Sequence, residues 1–142
     1  IYRSCEIKRA VVENDPTEKG GRALLNFGHT LGHAIEKQKN FELYHGECVV
    51  LGMIAALRIC VERGMISEEE FSDICSAFRT YDFPVNTDGI TVDSVIAASK
   101  NDKKMDAGRV KFILLKKIGE AYIDMTVDDD TMRRALETVV TE

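Results

Sequence analysis

Along most of the chain, apolar residues recur at three- and four-residue intervals, the repeat of a helix with one buried face. Residues 2–13 form the first such stretch, halted by Asn14, Asp15 and Pro16. The segment TEKGG predicts a loop, and residues 22–38 predict a second helix. The run ECVVLGMIAALRICVERG is apolar almost all round, so it predicts a long, mostly buried helix that ends at Gly64. Ser67 followed by Glu70 is a capping-box start for a fourth helix ending near Tyr81. Residues 91–100 predict a shorter helix. The pattern then changes: VKFILLKKIGEAYIDM carries β-branched and aromatic residues on both sides of Lys-Lys-Ile-Gly, as in a small hairpin. The closing stretch DDDTMRRALETVV predicts an amphipathic helix with an acidic first turn. The expected class is mainly α, a single multi-helix domain over residues 1–142 with one small β-hairpin.

Composition narrows the function classes. A chain of 142 residues with 44% hydrophobic content can bury a core of its own. No apolar run reaches the length of a membrane span, so no membrane partner is expected. A net charge of −5 argues against nucleic acid, whose phosphates call for a basic surface. Cys5, Cys48, Cys60 and Cys75 are widely spaced without a CxxC pair. They are expected to be reduced thiols in a cytoplasmic protein. The start at Ile1 suggests a piece of something longer.

The chemistry concentrates in RALLNFGHTLGHAIE, residues 22–36. On one continuous helix, Arg22, Asn26, His29, His33 and Glu36 form a single stripe. Solvated faces are usually built of Glu and Lys; Arg, Asn and two His are residues that grip anions, ligate metals or move protons. Gly28 and Gly32 each cost about 1 kcal/mol relative to alanine inside a helix. That cost is reasonable where another backbone or a ligand comes close. His29 and His33, four apart, could present two imidazoles to one zinc ion. A metalloprotease would carry Glu at position 30, which here is Thr30. Catalytic zinc takes three protein ligands, and His45, Glu42 or Glu47 could supply the third. Spacing alone leaves open which histidines bind metal.

RALLNFGHTLGHAIE followed by HGECVVLGM resembles the 3-dehydroquinate synthase family, a group of sugar-phosphate cyclases, and so do FPV and NDKKMDAGRVKFILLKKIGEAYI further on. The resemblance is to the helical C-terminal half of that enzyme. It implies conversion of 3-deoxy-D-arabino-heptulosonate 7-phosphate to 3-dehydroquinate and phosphate, with NAD and Zn2+ or Co2+. It further implies His29 and His45 as metal ligands, with His45 also at the substrate. His33 and Glu18 become an acid/base pair, and Lys8, Arg22, Asn26 and Lys103 become substrate contacts. By themselves Lys8 would be a surface lysine, Glu18 a loop residue, and Lys103 one of a solvated pair with Lys104. Glu36 is either a partner that orients a histidine or a solvent-facing residue. The family's third ligand, a glutamate, and its NAD-binding α/β domain would lie upstream; these 142 residues contain no Gly-rich dinucleotide fingerprint. The chain alone is therefore expected to be inactive and to bind zinc weakly, and the full-length enzyme to be a homodimer. Rival readings are another cyclase of the 2-deoxy-scyllo-inosose or valiolone type, a metal-dependent polyol dehydrogenase, or a non-catalytic helical interaction module.

Overall fold

The computed structural model describes residues 1–17, 20–101, 105–106 and 108–141, the pair 105–106 by backbone only. The helices are α1 (Tyr2–Asn14), a 3-10 helix (Gly21–Asn26), α2 (His29–Gln38), α3 (His45–Glu62), α4 (Glu68–Thr80), α5 (Val92–Lys100) and α6 (Asp129–Leu136). Strands β1 (Met105–Asp106) and β2 (Arg109–Val110) form one antiparallel pair, β3 (Phe112–Lys117) and β4 (Glu120–Asp124) another. The class is mainly α, as the periodicity predicts, with the expected hairpin at β3–β4 and a second, very short one beside it.

Helix α3 is the axis of the core. Its sequence is apolar on every side, and a helix of that kind has to be enclosed. Eleven of its 18 residues are buried, and α2, α4, α6 and β3 surround it. It stops where Gly64 takes φ +71. The Gly64 N–H donates to the Val61 carbonyl and the Met65 N–H to the Cys60 carbonyl, a Schellman ending. The capping box of α4 is present in both directions: the Glu70 N–H donates to Ser67 Oγ at 3.0 Å, and the Ser67 N–H donates to Glu70 Oε2 at 2.8 Å. Thr91 caps α5 and Asp128 caps α6 through their side-chain oxygens.

One expectation fails. Residues 22–38 do not form one helix. The 3-10 segment ends at Asn26, Gly28 adopts φ +79, and α2 begins only at His29. Arg22 and Asn26 therefore do not continue the stripe of His29, His33 and Glu36 along a single axis. The cause is close approach. A β-carbon on Gly28 would fall 2.7 Å from the Val49 carbonyl oxygen, and one on Gly32 would fall 2.9 Å from that of Cys48. From the other side, a β-carbon on Gly52 would sit 2.0 Å from the Gly28 carbonyl oxygen and 2.6 Å from the Gly32 amide nitrogen. Three glycines thus let α2 and α3 touch backbone to backbone, as an antiparallel pair joined through residues 39–44.

Behind this pair, Arg63 at the end of α3 binds Asp124 of β4, with Nη1 2.7 Å from Oδ2. Burial pushes the Asp124 carboxyl pKa up, but the Thr126 N–H, the Arg63 guanidinium and the Thr126 hydroxyl pull it below its ordinary value of 3.8. A carboxyl with a lowered native pKa stabilises the fold above its unfolded pKa and loses that contribution as pH falls through the native one.

Two outcomes test this picture. Gly52→Ala should destabilise the chain by about 3 kcal/mol or more in urea titration, the upper end for overpacking, because its neighbours are backbone atoms. Gly46→Ala, with nothing within 4 Å of the added carbon, should be neutral or gain up to about 1 kcal/mol. Asp124→Asn should flatten the fall in stability that the parent shows as pH drops below about 4, read as unfolding midpoints across an acid series.

Candidate metal centre and anion cavity

The paired helices bring the three histidines together. His29 and His33 stand one turn apart on α2, and His45 is the first residue of α3. Their ring centres lie 5.3 Å (His29–His33), 5.5 Å (His29–His45) and 5.5 Å (His33–His45) apart, close to an equilateral triangle. One ligand nitrogen from each ring lies within 4.8 Å of the other two, and among the described residues this is the cluster able to hold a metal ion. His29 and His33 are half-buried, while His45 is 52% exposed and leaves the site open to solvent.

Two of the rings have their tautomers set by neighbours. His29 Nδ1 lies 3.2 Å from the Phe27 carbonyl oxygen, which can only accept. The bond therefore puts the proton on Nδ1 and makes Nε2 the nitrogen that carries the lone pair. His45 Nδ1 lies 3.1 Å from Glu36 Oε2, with the same consequence. This is the carboxylate–histidine arrangement that orients metal-binding imidazoles and raises their basicity. Glu36, left between two readings by the sequence, is a histidine-orienting residue.

The carboxylates that competed as third ligands are engaged elsewhere. Glu47 accepts the Tyr44 N–H at 2.7 Å and caps α3, and Glu42 pairs with Lys39 at 3.4 Å. Cys48 is close by, but burial, then the charges of Glu36 and Glu47, push its thiol up to about 11. It stays protonated at neutral pH and is a poor ligand.

Beside the histidines lies a cavity of about 220 Å³ lined by Lys8, Arg22, Leu25, Asn26 and His29. It draws on three elements: Lys8 from α1, Arg22, Leu25 and Asn26 from the 3-10 helix, and His29 from α2. Four of the residues singled out in the sequence therefore meet in one place, although the helix expected to align them is broken. The Arg22 segment is held by Asp15, whose Oδ2 accepts the N–H groups of Gly20 at 2.7 Å and Arg22 at 3.1 Å. Arg22 Nη1 donates to the Pro16 carbonyl at 3.0 Å. Glu18, Lys103 and Lys104 lie outside the described residues.

Sequence reasoning missed two residues that position the site. Asp15 reads as a helix stop, and its role is visible only once the loop folds back onto it. Thr30, notable for not being glutamate, donates Oγ1–H to the Lys111 carbonyl at 2.7 Å and ties the first turn of α2 to the strand region.

Residues 1–105 match the family described as 3-dehydroquinate synthase C-terminal. The chain belongs to that family. It is 44% identical over 139 residues to the 3-dehydroquinate synthase of Acetivibrio thermocellus, a match covering 96% of this chain and 38% of that protein. It is 41% identical over 123 residues to the enzyme of Dehalococcoides mccartyi, covering 87% and 34%. The chain thus spans well under half the length of these relatives. Among solved structures it is similar to a 2-epi-5-epi-valiolone synthase from Streptomyces hygroscopicus with NAD+ and Zn2+ bound, with TM-score 0.71 and 28% identity over 80% of this chain and 31% of that one. It shares the fold of a 2-deoxy-scyllo-inosose synthase complexed with carbaglucose-6-phosphate, NAD+ and Co2+, with TM-score 0.76 and 24% identity over 93% and 39%.

The Glu36–His45 contact yields a direct test. Glu36→Ala should weaken Zn2+ binding roughly 10- to 100-fold in a calorimetric titration, the usual cost of losing a ligand's orienting partner. Glu36→Gln should weaken it less, since an amide oxygen can still accept from Nδ1.

Proposed function

We propose that this chain is the metal- and substrate-binding part of a 3-dehydroquinate synthase, a lyase that closes a seven-carbon sugar phosphate into a carbocycle with loss of phosphate. The observation that carries the reading is the meeting of Lys8, Arg22, Asn26 and His29 in one cavity beside a histidine triangle. The substrate, 3-deoxy-D-arabino-heptulosonate 7-phosphate, bears a carboxylate and a phosphate. A guanidinium grips such groups with two parallel N–H donors, and a lysine meets them as a point charge. Arg22, Lys8 and Asn26 thus anchor and orient the substrate, with Lys103 as a further contact.

His29 and His45 would hold the divalent metal, a role that fits the tautomers set by Phe27 and Glu36. In the complete enzyme the third ligand is a glutamate from outside these 142 residues. When bound, the ion holds substrate hydroxyls and polarises the carbon undergoing oxidation. NAD, held by a domain beyond this chain, would supply the hydride acceptor and donor. His33, in reach of the same centre, moves protons together with Glu18. The enzyme works in the cytoplasm as a homodimer within the shikimate pathway, and the 142 residues alone do not turn over.

In the longer enzyme, Arg22→Ala should lower kcat/KM for the carboxylate-bearing substrate roughly 10- to 100-fold, the value of a hydrogen bond to a charged group. Normal kinetics in that variant, or preference for a heptulose phosphate lacking the carboxylate, would shift the assignment to a valiolone-type cyclase. Dehydroquinate formation by the 142-residue chain with substrate, NAD and zinc would overturn the division of the site.

A further inference from the structure

Farther along α3 from His45, by about 20 Å of helix, Arg58 lines a second cavity of about 330 Å³. The cavity lies between α3, α4 and the segments that carry Asn86 and Thr138, and none of its lining residues belongs to α2 or the 3-10 helix. We propose that it is a second anion site, which takes a phosphate monoester with a compact apolar body between Arg58 and Arg79. The proposal stands apart from the metal reading and uses none of its residues.

Two guanidinium groups line this one cavity. Arg58 is already fixed: its guanidinium carbon lies 4.1 Å from the centre of the Phe71 ring, and Nη1 donates to Glu68 Oε1 at 2.6 Å. Its remaining N–H donors are then offered at little further ordering cost. Arg79 is different. Among the described residues it has neither an ion pair nor a hydrogen bond, whereas Arg58, Arg63, Arg133 and Arg134 each bind a carboxylate. An arginine in the last turn of a helix complements the helix dipole in any orientation. That does not account for its place on a cavity beside a second arginine. Both charges also act on one buried group in the lining. Burial pushes the Cys75 thiol above its ordinary 9.0, while Arg79 and then Arg58 pull it down.

The rest of the lining selects the ligand. Ser72, Asn86 and Thr138 are exposed and add neutral hydrogen-bonding groups. The one carboxylate in the lining, Glu68, is 69% exposed and already held by Arg58, so the cavity keeps a net positive charge. A guanidinium grips phosphate with paired N–H bonds, and the three terminal oxygens of a phosphate monoester use more of these donors than the two of a carboxylate. Ile54, Phe71 and Val85 supply an apolar wall, which inorganic phosphate leaves uncovered and a ring or short alkyl group covers. The volume stands at the small end of ligand sites, about 300–1,000 Å³, and suits a single ring rather than a nucleotide.

The test uses metal-free protein carrying Arg22→Ala, which removes the anion grip beside the histidines, with circular dichroism confirming the fold. Lys8→Ala takes its place should that variant unfold. Phenyl phosphate, inorganic phosphate and benzoate are titrated by calorimetry. Phenyl phosphate should bind with one equivalent, about tenfold or more tighter than inorganic phosphate, because its ring covers the apolar wall. Adding Arg79→Ala should weaken it roughly 10- to 100-fold, the value of a hydrogen bond to a charged group. Arg79→Lys should weaken it less. Arg79 is exposed, so neither change disturbs the core. Phenyl phosphate affinity unchanged by Arg79→Ala, or no binding to the folded protein, would overturn the site. Equal affinity for inorganic phosphate, or a preference for benzoate, would overturn the ligand class. Failure on either count leaves the proposed function standing, since that is decided by turnover of the longer enzyme.

Discussion

Everything in this domain that bears on chemistry depends on the contact between the backbones of α2 and α3. Gly28 and Gly32 on one side and Gly52 on the other remove the side chains that normally hold helices 8–10 Å apart. The resulting closeness puts the start of α3 beside the last turns of α2, so that His45 reaches the face carrying His29 and His33. An ordinary helix pair with leucines at those positions would separate the histidines beyond the reach of any one ion. The glycines give up helix propensity, and the buried run from Cys48 to Cys60, enclosed by α2, α4, α6 and β3, supplies the compensating burial.

The same contact accounts for the break before α2. Gly28 must leave the right-handed region to let its carbonyl pass Gly52, so the helix cannot run back through Phe27. The Phe27 carbonyl, released from helical bonding, becomes the acceptor that orients His29. A local disruption of secondary structure is thereby turned into a tautomer-setting bond, and Glu36 performs the corresponding task for His45. The apolar core and the polar site are two faces of one helix pair.

Much of this was legible in the residues. The capping box at Ser67 and Glu70, the acidic start of α6, the Gly64 stop and the β3–β4 hairpin are local signals, and local chemistry realised them. The cost of Gly28 and Gly32 correctly implied a close neighbour, but the neighbour was the backbone of α3, which a one-helix wheel cannot show. The wheel also placed Arg22 and Asn26 on the stripe of the histidines. They reach the site by another path, through a 3-10 turn held by Asp15. What escaped the sequence in each case was a long-range contact: Gly52 against Gly28, Thr30 against Lys111, Asp15 folded onto Gly20 and Arg22.

Helix α1 has a consequence of a different kind. It carries Lys8 to the cavity, yet none of its 13 residues is buried, and its main neighbour is the 3-10 helix. A helix of about that length is marginal on its own in water. Its contact with the 3-10 helix contributes to holding it, and a ligand that Lys8 helps to grip adds to that. Anion capture at the cavity and the stability of α1 are then linked. The affinity of the site then reports the setting of the helix that carries Lys8 as well as the fit of Lys8 and Arg22 to the ligand.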